Sequence, residues 1–171
     1  MREFFVAFRD LFRLRSGPQD LPYSPRLLAG LVMVELVLDL VTAQIMATPE
    51  TAVSPLRTIV AAALTLLALY AVLAVGKKAG RFVQTATAWV AVKLFFELIT
   101  LPMVSLVGHP PATPEALTLV QGLLTFPMIG ALIWWLMAAT NVIRHALELR
   151  TALAFPIVMG LLFIVPLLAS F

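Results

Sequence analysis

Five long apolar stretches constrain this chain more than any other feature of its sequence. They lie at about residues 25–47, 55–76, 82–107, 114–141 and 151–171, and short segments with prolines or charged residues separate them. Each has the roughly 20 residues that a helix needs to cross about 30 Å of hydrocarbon. The apolar residues run continuously, whereas apolar and polar residues alternate along the strands of a membrane barrel. We therefore predict an all-α polytopic membrane protein with five transmembrane helices in a single domain, residues 1–171.

The composition fits a bilayer environment and excludes several kinds of site. Hydrophobic residues make up 61% of the chain and charged residues 12%, whereas a soluble domain has about 45–50% and about 25%. The chain has no cysteine and only two histidines, which excludes thiolate chemistry and disulfides and disfavours a histidine-rich metal or haem site. It also lacks a nucleophile elbow, a Walker loop and a metalloprotease motif. We predict a non-enzymatic protein with no cofactor and no metal.

Residues 1–16 predict an amphipathic helix, with Gly17 as its C-terminal cap. Aromatic side chains recur at helical spacing on one face and arginines occupy the other. The predicted membrane-interface residues are Phe4, Phe5, Phe8, Phe12, Arg9 and Arg13. This pattern is typical of a helix that lies among lipid headgroups. The alternative is a helix packed on the protein's own bundle, and both arrangements can hold together. Anionic lipid explains the basic face, so we predict no nucleic-acid binding.

The positions of lysine and arginine predict how the chain is oriented. With five helices, ten of the twelve basic residues fall on one side, in the N-terminal segment, the 2–3 loop and the 4–5 loop. The other two are Arg57 and Lys93. Cytoplasmic loops carry the excess of basic residues. We therefore predict a bacterial inner-membrane protein with a cytoplasmic N-terminus and a periplasmic C-terminus.

Four charged residues inside the predicted spans form the main candidate site, an intramembrane polar network. Glu35 and Asp39 are four residues apart in the first span, and Lys93 and Glu97 are four apart in the third. Each pair shares one helix face. Both spans run in the same direction, and at 1.5 Å per residue the two pairs lie at similar depth. We predict that the two spans are neighbours and that Lys93 pairs with Asp39, Glu35 or both.

Three interpretations of this network remain open. The first is a proton or cation relay, or a polar cavity for a substrate. The second is a satisfied network that fixes helix register. The third is a contact with a charged helix of a partner protein. A charge in the hydrocarbon core costs at least about 2.5–3.5 kcal/mol on insertion scales. Three carboxyls against one lysine leave at least one acid without a basic partner, and desolvation favours a proton on it.

A second polar group is predicted at the cytoplasmic end of the fourth span. Its members are Asp20, Asn141, Arg144 and His145. They would form a small binding site, although a single histidine at a helix end more often interacts with the helix dipole or with headgroups. Residues 141–150 are predicted to hold the turn to the last span.

The layout resembles that of the bacterial Yip1-like membrane proteins. The resemblance lies in Phe8 to Phe12, in the segment Gly17-Pro18-Gln19-Asp20-Leu21-Pro22, and in the basic stretch from Asn141 to Arg150 before the final apolar span. It implies a short cytoplasmic N-terminal segment followed by five spans. Eukaryotic members are associated with small-GTPase-linked membrane traffic, whereas bacterial members mostly have no assigned function. The resemblance therefore carries over no functional residue.

The sequence favours a scaffold or accessory subunit of a larger membrane complex. The predicted partners are the lipid bilayer and either other membrane proteins or further copies of the chain. One alternative is a small ion- or proton-coupled transporter that uses Glu35, Asp39, Lys93 and Glu97. The other alternative is a lipid-handling or membrane-shaping protein.

Overall fold

The computed structural model describes residues 2–47, 54–107 and 119–168, and these residues are almost entirely helical. The helices are α1 (Arg2–Phe12), α2 (Pro25–Met46), α3 (Pro55–Val75), α4 (Phe82–Val107), α5 (Leu119–Leu147) and α6 (Thr151–Leu168). Single 3-10 turns at Pro18–Asp20 and Ala79–Arg81 precede α2 and α4. Within the described ranges there is no strand, so the all-α class is confirmed.

Four of these helices, α2 to α5, are long and apolar enough to cross a membrane. They overlap the first four predicted spans, although α5 continues to Leu147 rather than ending near residue 141. The sixth helix, α6, has 18 residues and is apolar, but its described part is shorter than the other four. The loop between the third and fourth predicted spans and the predicted start of the fourth span fall within residues 108–118, which lie outside the described residues, as do residues 48–53 and 169–171.

Helices α2 and α3 begin where a serine precedes a proline. The Ser24 hydroxyl accepts a hydrogen bond from the backbone N–H of Leu27 at 3.2 Å. The Ser54 hydroxyl accepts one from the N–H of Arg57 at 3.4 Å. Proline then occupies the first helical position, where its missing N–H has no cost. Both predicted helix starts are therefore confirmed.

Helices α1, α3 and α5 end in a left-handed residue that is not glycine. The residues in this conformation are Leu14, Lys77 and Glu148, with φ of 60°, 58° and 59°. In each case the next residue donates its N–H back across the last turn, at 2.9, 2.7 and 2.9 Å, which satisfies carbonyls that the helix end leaves free. The prediction of Gly17 as the cap of α1 is therefore wrong: the helix ends at Phe12, and Leu14 takes the left-handed position.

The packing of the bundle differs between its two ends. Helix α4 packs against α2 and α5, and α6 packs against α5 and α3. Residues 85–92 of α4 and 138–143 of α5 are all buried. Farther along the helices, residues 119–134 of α5 include no buried residue, and Thr100 is the one buried residue in 95–107 of α4. The close-packed half is thus the half in which α4 begins and α5 ends.

Helix α1 lies on this close-packed half. Leu11 is 1% exposed among residues of α4 and α5. The ring of Phe12 stacks on Phe95 with centroids 4.5 Å apart, and the indole N–H of Trp134 donates to the Phe12 carbonyl at 3.3 Å. Packing on the protein's own bundle is therefore observed. Arg9 and Arg13 remain exposed, and contact with headgroups stays a prediction. The side chains of Phe4 and Phe5 lie outside the described set.

The segment between α1 and α2 is held against α4 and α5 by side-chain amides. The Gln84 amide donates to the Leu21 carbonyl at 2.7 Å, and the Asn141 amide donates to the Ser16 carbonyl at 3.0 Å. Gly17 is needed at the closest approach, because a Cβ there would lie 2.7 Å from the Cβ of His145. The glycine thus serves close packing rather than helix capping.

Candidate functional site: one lysine and three carboxyls

The predicted intramembrane residues meet where α2 crosses α4. Helix α2 supplies Glu35 and Asp39, and α4 supplies Lys93 and Glu97, each pair one helical turn apart. The Lys93 Nζ lies 2.8 Å from Glu35 Oε1, 2.8 Å from Asp39 Oδ2 and 3.2 Å from Glu97 Oε1. We call these four residues the quartet. Its formation confirms that the first and third spans are neighbours and that Lys93 pairs with both acids of α2.

The lysine is shared unequally among the three acids. Its ammonium has three N–H donors. Hydrogen bonds go to Glu35 at 2.8 Å and to both oxygens of Asp39 at 3.0 and 2.8 Å. Glu97 Oε1 lies 3.2 Å from the ammonium, which is the longest of the three ion-pair distances. Glu97 is therefore the acid that the lysine satisfies least.

One oxygen of Glu97 has no donor. Glu97 Oε2 is buried and accepts no hydrogen bond from the described part of the chain. Asp39 and Glu97 lie beside the same ammonium, with oxygens 2.8 and 3.2 Å from Lys93 Nζ, so their carboxyls are close neighbours. Two carboxyls bond to each other only when one of them carries a proton. The arrangement can therefore hold one proton or one small cation between Asp39 and Glu97.

A cavity of about 510 Å³ adjoins one side of the quartet. Glu35, Asp39 and Lys93 line one part of it, and Arg57 lines another. Its remaining lining includes residues of α3 and α6 and the α2–α3 end of the bundle. Trp89 and Trp135, which pack edge to face at 6.3 Å, form part of the wall. Sequence reasoning did not find Arg57 as a site residue, because nothing in its neighbourhood on the chain points to the quartet.

A second cavity, of about 620 Å³, adjoins the other side and is lined mostly by apolar residues. It lies among α2, α4 and α5. Among the described residues that line it, Glu97 is the one acid. Thr100 and Thr125 add hydroxyls, both of which donate to backbone carbonyls of their own helices at 2.9 and 2.8 Å. The quartet therefore stands between two cavities, with Glu35 and Asp39 facing the first and Glu97 facing the second.

Three of the four residues predicted at the cytoplasmic end come together, but on a helix rather than in a turn. Asn141, Arg144 and His145 lie in the last turns of α5, which continues to Leu147. The Arg144 Nη2 donates to the Asn141 side-chain oxygen at 3.1 Å and lies 3.2 Å from His145 Nε2. Asp20 instead accepts a hydrogen bond from the N–H of Gly17 at 2.9 Å, within its own loop. The predicted turn from Asn141 to Arg150 is thus shorter than expected.

An ion pair that the sequence did not indicate ties the α3–α4 and α5–α6 connections together. Glu148 accepts hydrogen bonds from Lys78 at 2.8 Å and from Arg81 at 2.6 Å. The hydrogen bonds from Lys78 and Arg81, and their positive charges, hold the pKa of the Glu148 carboxyl below its ordinary value. Because the partners are about 70 residues apart, no local pattern could have revealed them.

Comparison of the chain with protein-family models, with curated proteins and with solved structures finds no match. The resemblance to Yip1-like proteins therefore stays a prediction, and the quartet must be interpreted from its own geometry.

Proposed function

We propose that the protein is a non-enzymatic membrane protein that binds and moves a proton or a small cation at the quartet, as a small ion- or proton-coupled transporter. The observation that carries this proposal is the position of the quartet between two cavities, with three carboxyls and one lysine. Charged residues inside a membrane are costly, and they mark ion pathways and proton relays.

The balance of charge supports a cation as the species that moves. With all four groups ionised, the quartet carries two negative charges more than its lysine neutralises. Lys93 donates to Glu35 and Asp39 at 2.8 Å each, so one of the two uncompensated charges is placed on Glu97, the acid with the longest distance to the ammonium. A proton or small cation at Glu97 lowers the excess from two negative charges to one, and its departure leaves a carboxylate that attracts the next one.

We further propose that α6 is the fifth span, with the N-terminus in the cytoplasm and the C-terminus in the periplasm of a bacterial inner membrane. The apolar character of α6 and its packing against α3 and α5 support this. The basic residues of the α3–α4 and α5–α6 connections then lie on the same side as those of α1 and its following loop.

Neutralising Asp39 tests the transport proposal. The purified protein is reconstituted in vesicles that contain a pH-sensitive dye, and a potassium gradient with valinomycin drives cation entry. We expect Asp39→Asn to slow proton uptake about tenfold or more, because it removes one charge-assisted partner of the moving cation. Sodium uptake is measured in the same vesicles with a sodium-sensitive dye.

The matched control is Glu148→Gln, which removes an acid that is paired outside the apolar spans. It should transport like the wild type. Transport by Asp39→Asn at the wild-type rate would contradict the proposal, as would wild-type vesicles that take up neither ion faster than protein-free vesicles.

A scaffold or accessory role is the second candidate, and the surface around the second cavity favours it. Ile129 and Leu132 line this cavity and are nearly half exposed. Glu97 belongs to the same lining, and its Oε2 has no donor among the described residues. A partner helix with a basic or hydroxyl side chain would satisfy both features. We expect a membrane protein to co-purify stoichiometrically in gentle detergent and Glu97→Gln to weaken this association, whereas Glu148→Gln retains it. Equal recovery from both variants would contradict this role for Glu97.

A further inference from the structure

Arg144 lies where a polar cavity and an apolar groove meet. The polar cavity, of about 470 Å³, is lined by Gln19, Arg81, Arg144, His145, Glu148 and Leu149. The apolar groove, of about 420 Å³, is lined mainly by α5 and the start of α6, and Arg144 is part of its lining too. A ligand at Arg144 would therefore have a charged surface on one side and an apolar surface on the other.

The guanidinium of Arg144 has donors to spare. Its recorded contacts in the described ranges run through Nη2, to Asn141 Oδ1 at 3.1 Å and to His145 Nε2 at 3.2 Å. No acid of the described part of the chain lies within ion-pair distance of it, whereas Arg81 in the same cavity is paired with Glu148 at 2.6 Å. An arginine with free N–H groups at the edge of a membrane bundle matches the oxygens of a phosphate.

His145 contacts the guanidinium of Arg144 from the following position on α5. Its Nδ1 faces the carbonyl of Asn141 at 2.9 Å, and a carbonyl can only accept, so Nδ1 carries the hydrogen. The lone pair of Nε2 is then free to accept from Arg144 at 3.2 Å. This arrangement orients the guanidinium and leaves Nε and Nη1 of Arg144 available to an anion.

Thr140 supplies an independent sign of a ligand in the apolar groove. Thr85, Thr87 and Thr125 donate their hydroxyls to the carbonyl four residues earlier, at 2.9, 2.7 and 2.8 Å. Thr140 is 4% exposed and lines the groove, yet its Oγ1 has no hydrogen-bond partner among the described residues. Buried hydroxyls are normally paired, so a polar atom of a bound molecule is the expected partner.

The remaining lining of the groove is apolar and partly open. Ile133, Met137 and Phe155 line it, and each has about half of its side chain exposed. Ile133 and Met137 belong to the apolar stretch of α5 that precedes Thr140, and Phe155 belongs to the apolar α6, so this surface is suited to contact with hydrocarbon. The groove therefore offers a place for an acyl chain, about two to three helical turns along α5 from Arg144.

From these contacts we propose that Arg144, Thr140 and the groove between α5 and α6 form a binding site for an anionic glycerophospholipid. Arg144 binds the phosphate, with Arg81 nearby. The Thr140 hydroxyl donates to an ester carbonyl, and one acyl chain lies along Ile133, Met137 and Phe155. This site is separate from the quartet and does not depend on transport.

Native mass spectrometry of the full-length protein in detergent tests the site with two lipids that share their acyl chains. Phosphatidylglycerol is anionic and phosphatidylcholine is zwitterionic. We expect phosphatidylglycerol to bind about tenfold more tightly, and Arg144→Gln to remove about that factor. The matched control is Arg26→Gln, because Arg26 is an exposed arginine at the start of α2. A loss of the same size in the two variants would overturn the proposal.

Two further variants test the groove without changing charge. Thr140→Val keeps the shape of the side chain and removes the hydroxyl, and Met137→Trp fills the groove. Each should weaken phosphatidylglycerol binding several-fold in protein that still unfolds cooperatively, and full binding by Met137→Trp would overturn the acyl-chain assignment. Inorganic phosphate is then added at millimolar concentration. Retained lipid supports the lipid as ligand, whereas complete displacement identifies a soluble phosphate compound as the occupant and overturns the proposal.

Discussion

Replacing Lys93 by methionine should destabilise the folded protein by about 3–5 kcal/mol, because removal of one partner leaves buried acids without their counter-charge. Lys93 is within 3.2 Å of Glu35, Asp39 and Glu97, and no other basic side chain of the described residues contacts these acids. The measurement is the free energy of unfolding by denaturant titration in mixed micelles. Among single substitutions in the bundle, this one should have the largest effect.

The double variants identify which acid depends most on the lysine. Lys93→Met combined with Asp39→Asn should recover part of the lost stability, since the amide does not need a counter-charge. The combination with Glu35→Gln should recover a similar part, because Glu35 is the most buried of the three acids. Lys78→Met is the control, because Lys78 belongs to an exposed ion pair with Glu148. If neither double variant is more stable than Lys93→Met alone, the pairing inferred from these distances is wrong.

Replacing Leu11 by alanine should release α1 from the bundle. Leu11 is 1% exposed and packs among Ala88, Val92 and Ala138, and truncation of a buried leucine costs about 2–5 kcal/mol. The contacts of α1 with α4 and α5 are few enough that a loss of this size favours the undocked helix. The readout is limited trypsin digestion in detergent, which should cut faster at Arg13 and Arg15 once the segment is free.

Val6→Ala provides the matched control for this experiment. Val6 lies on the same helix but is 40% exposed, so its truncation removes little buried surface and should leave the digestion rate unchanged. Equal rates of cleavage in the wild type and in Leu11→Ala would show that α1 is not held by this contact.

The candidate site was predictable because both of its helices carry their charges one turn apart. Two pairs at spacing i, i+4, on spans that run in the same direction, can meet in few ways. Charged side chains inside a membrane need partners, so the two pairs are expected to contact each other. The starts of α2 and α3 were predictable for a similar reason, since Ser24 and Ser54 each precede a proline that can only begin a helix.

The helix ends were harder to predict, because they depend on distant contacts. Glycine is the usual left-handed residue, yet Leu14, Lys77 and Glu148 take that conformation here. Asn141 looked like the end of a span, but α5 continues past it because Asn141 donates to the Ser16 carbonyl at 3.0 Å. The unpaired hydroxyl of Thr140 was equally hidden, since only the tertiary structure shows which threonines find a carbonyl.

The uneven packing along the bundle has a mechanical consequence. Close-packed interiors resist deformation and transmit strain. The half that holds residues 85–92 of α4 and 138–143 of α5 is therefore the rigid half of the bundle. Beyond this half, α4 and α5 continue with few buried residues, and a cavity lies on either side of the quartet. When α4 and α5 bend at the edge of the rigid half, the end of α4 and the start of α5 are displaced most. Lys93 and its acids lie near the rigid half and are displaced least.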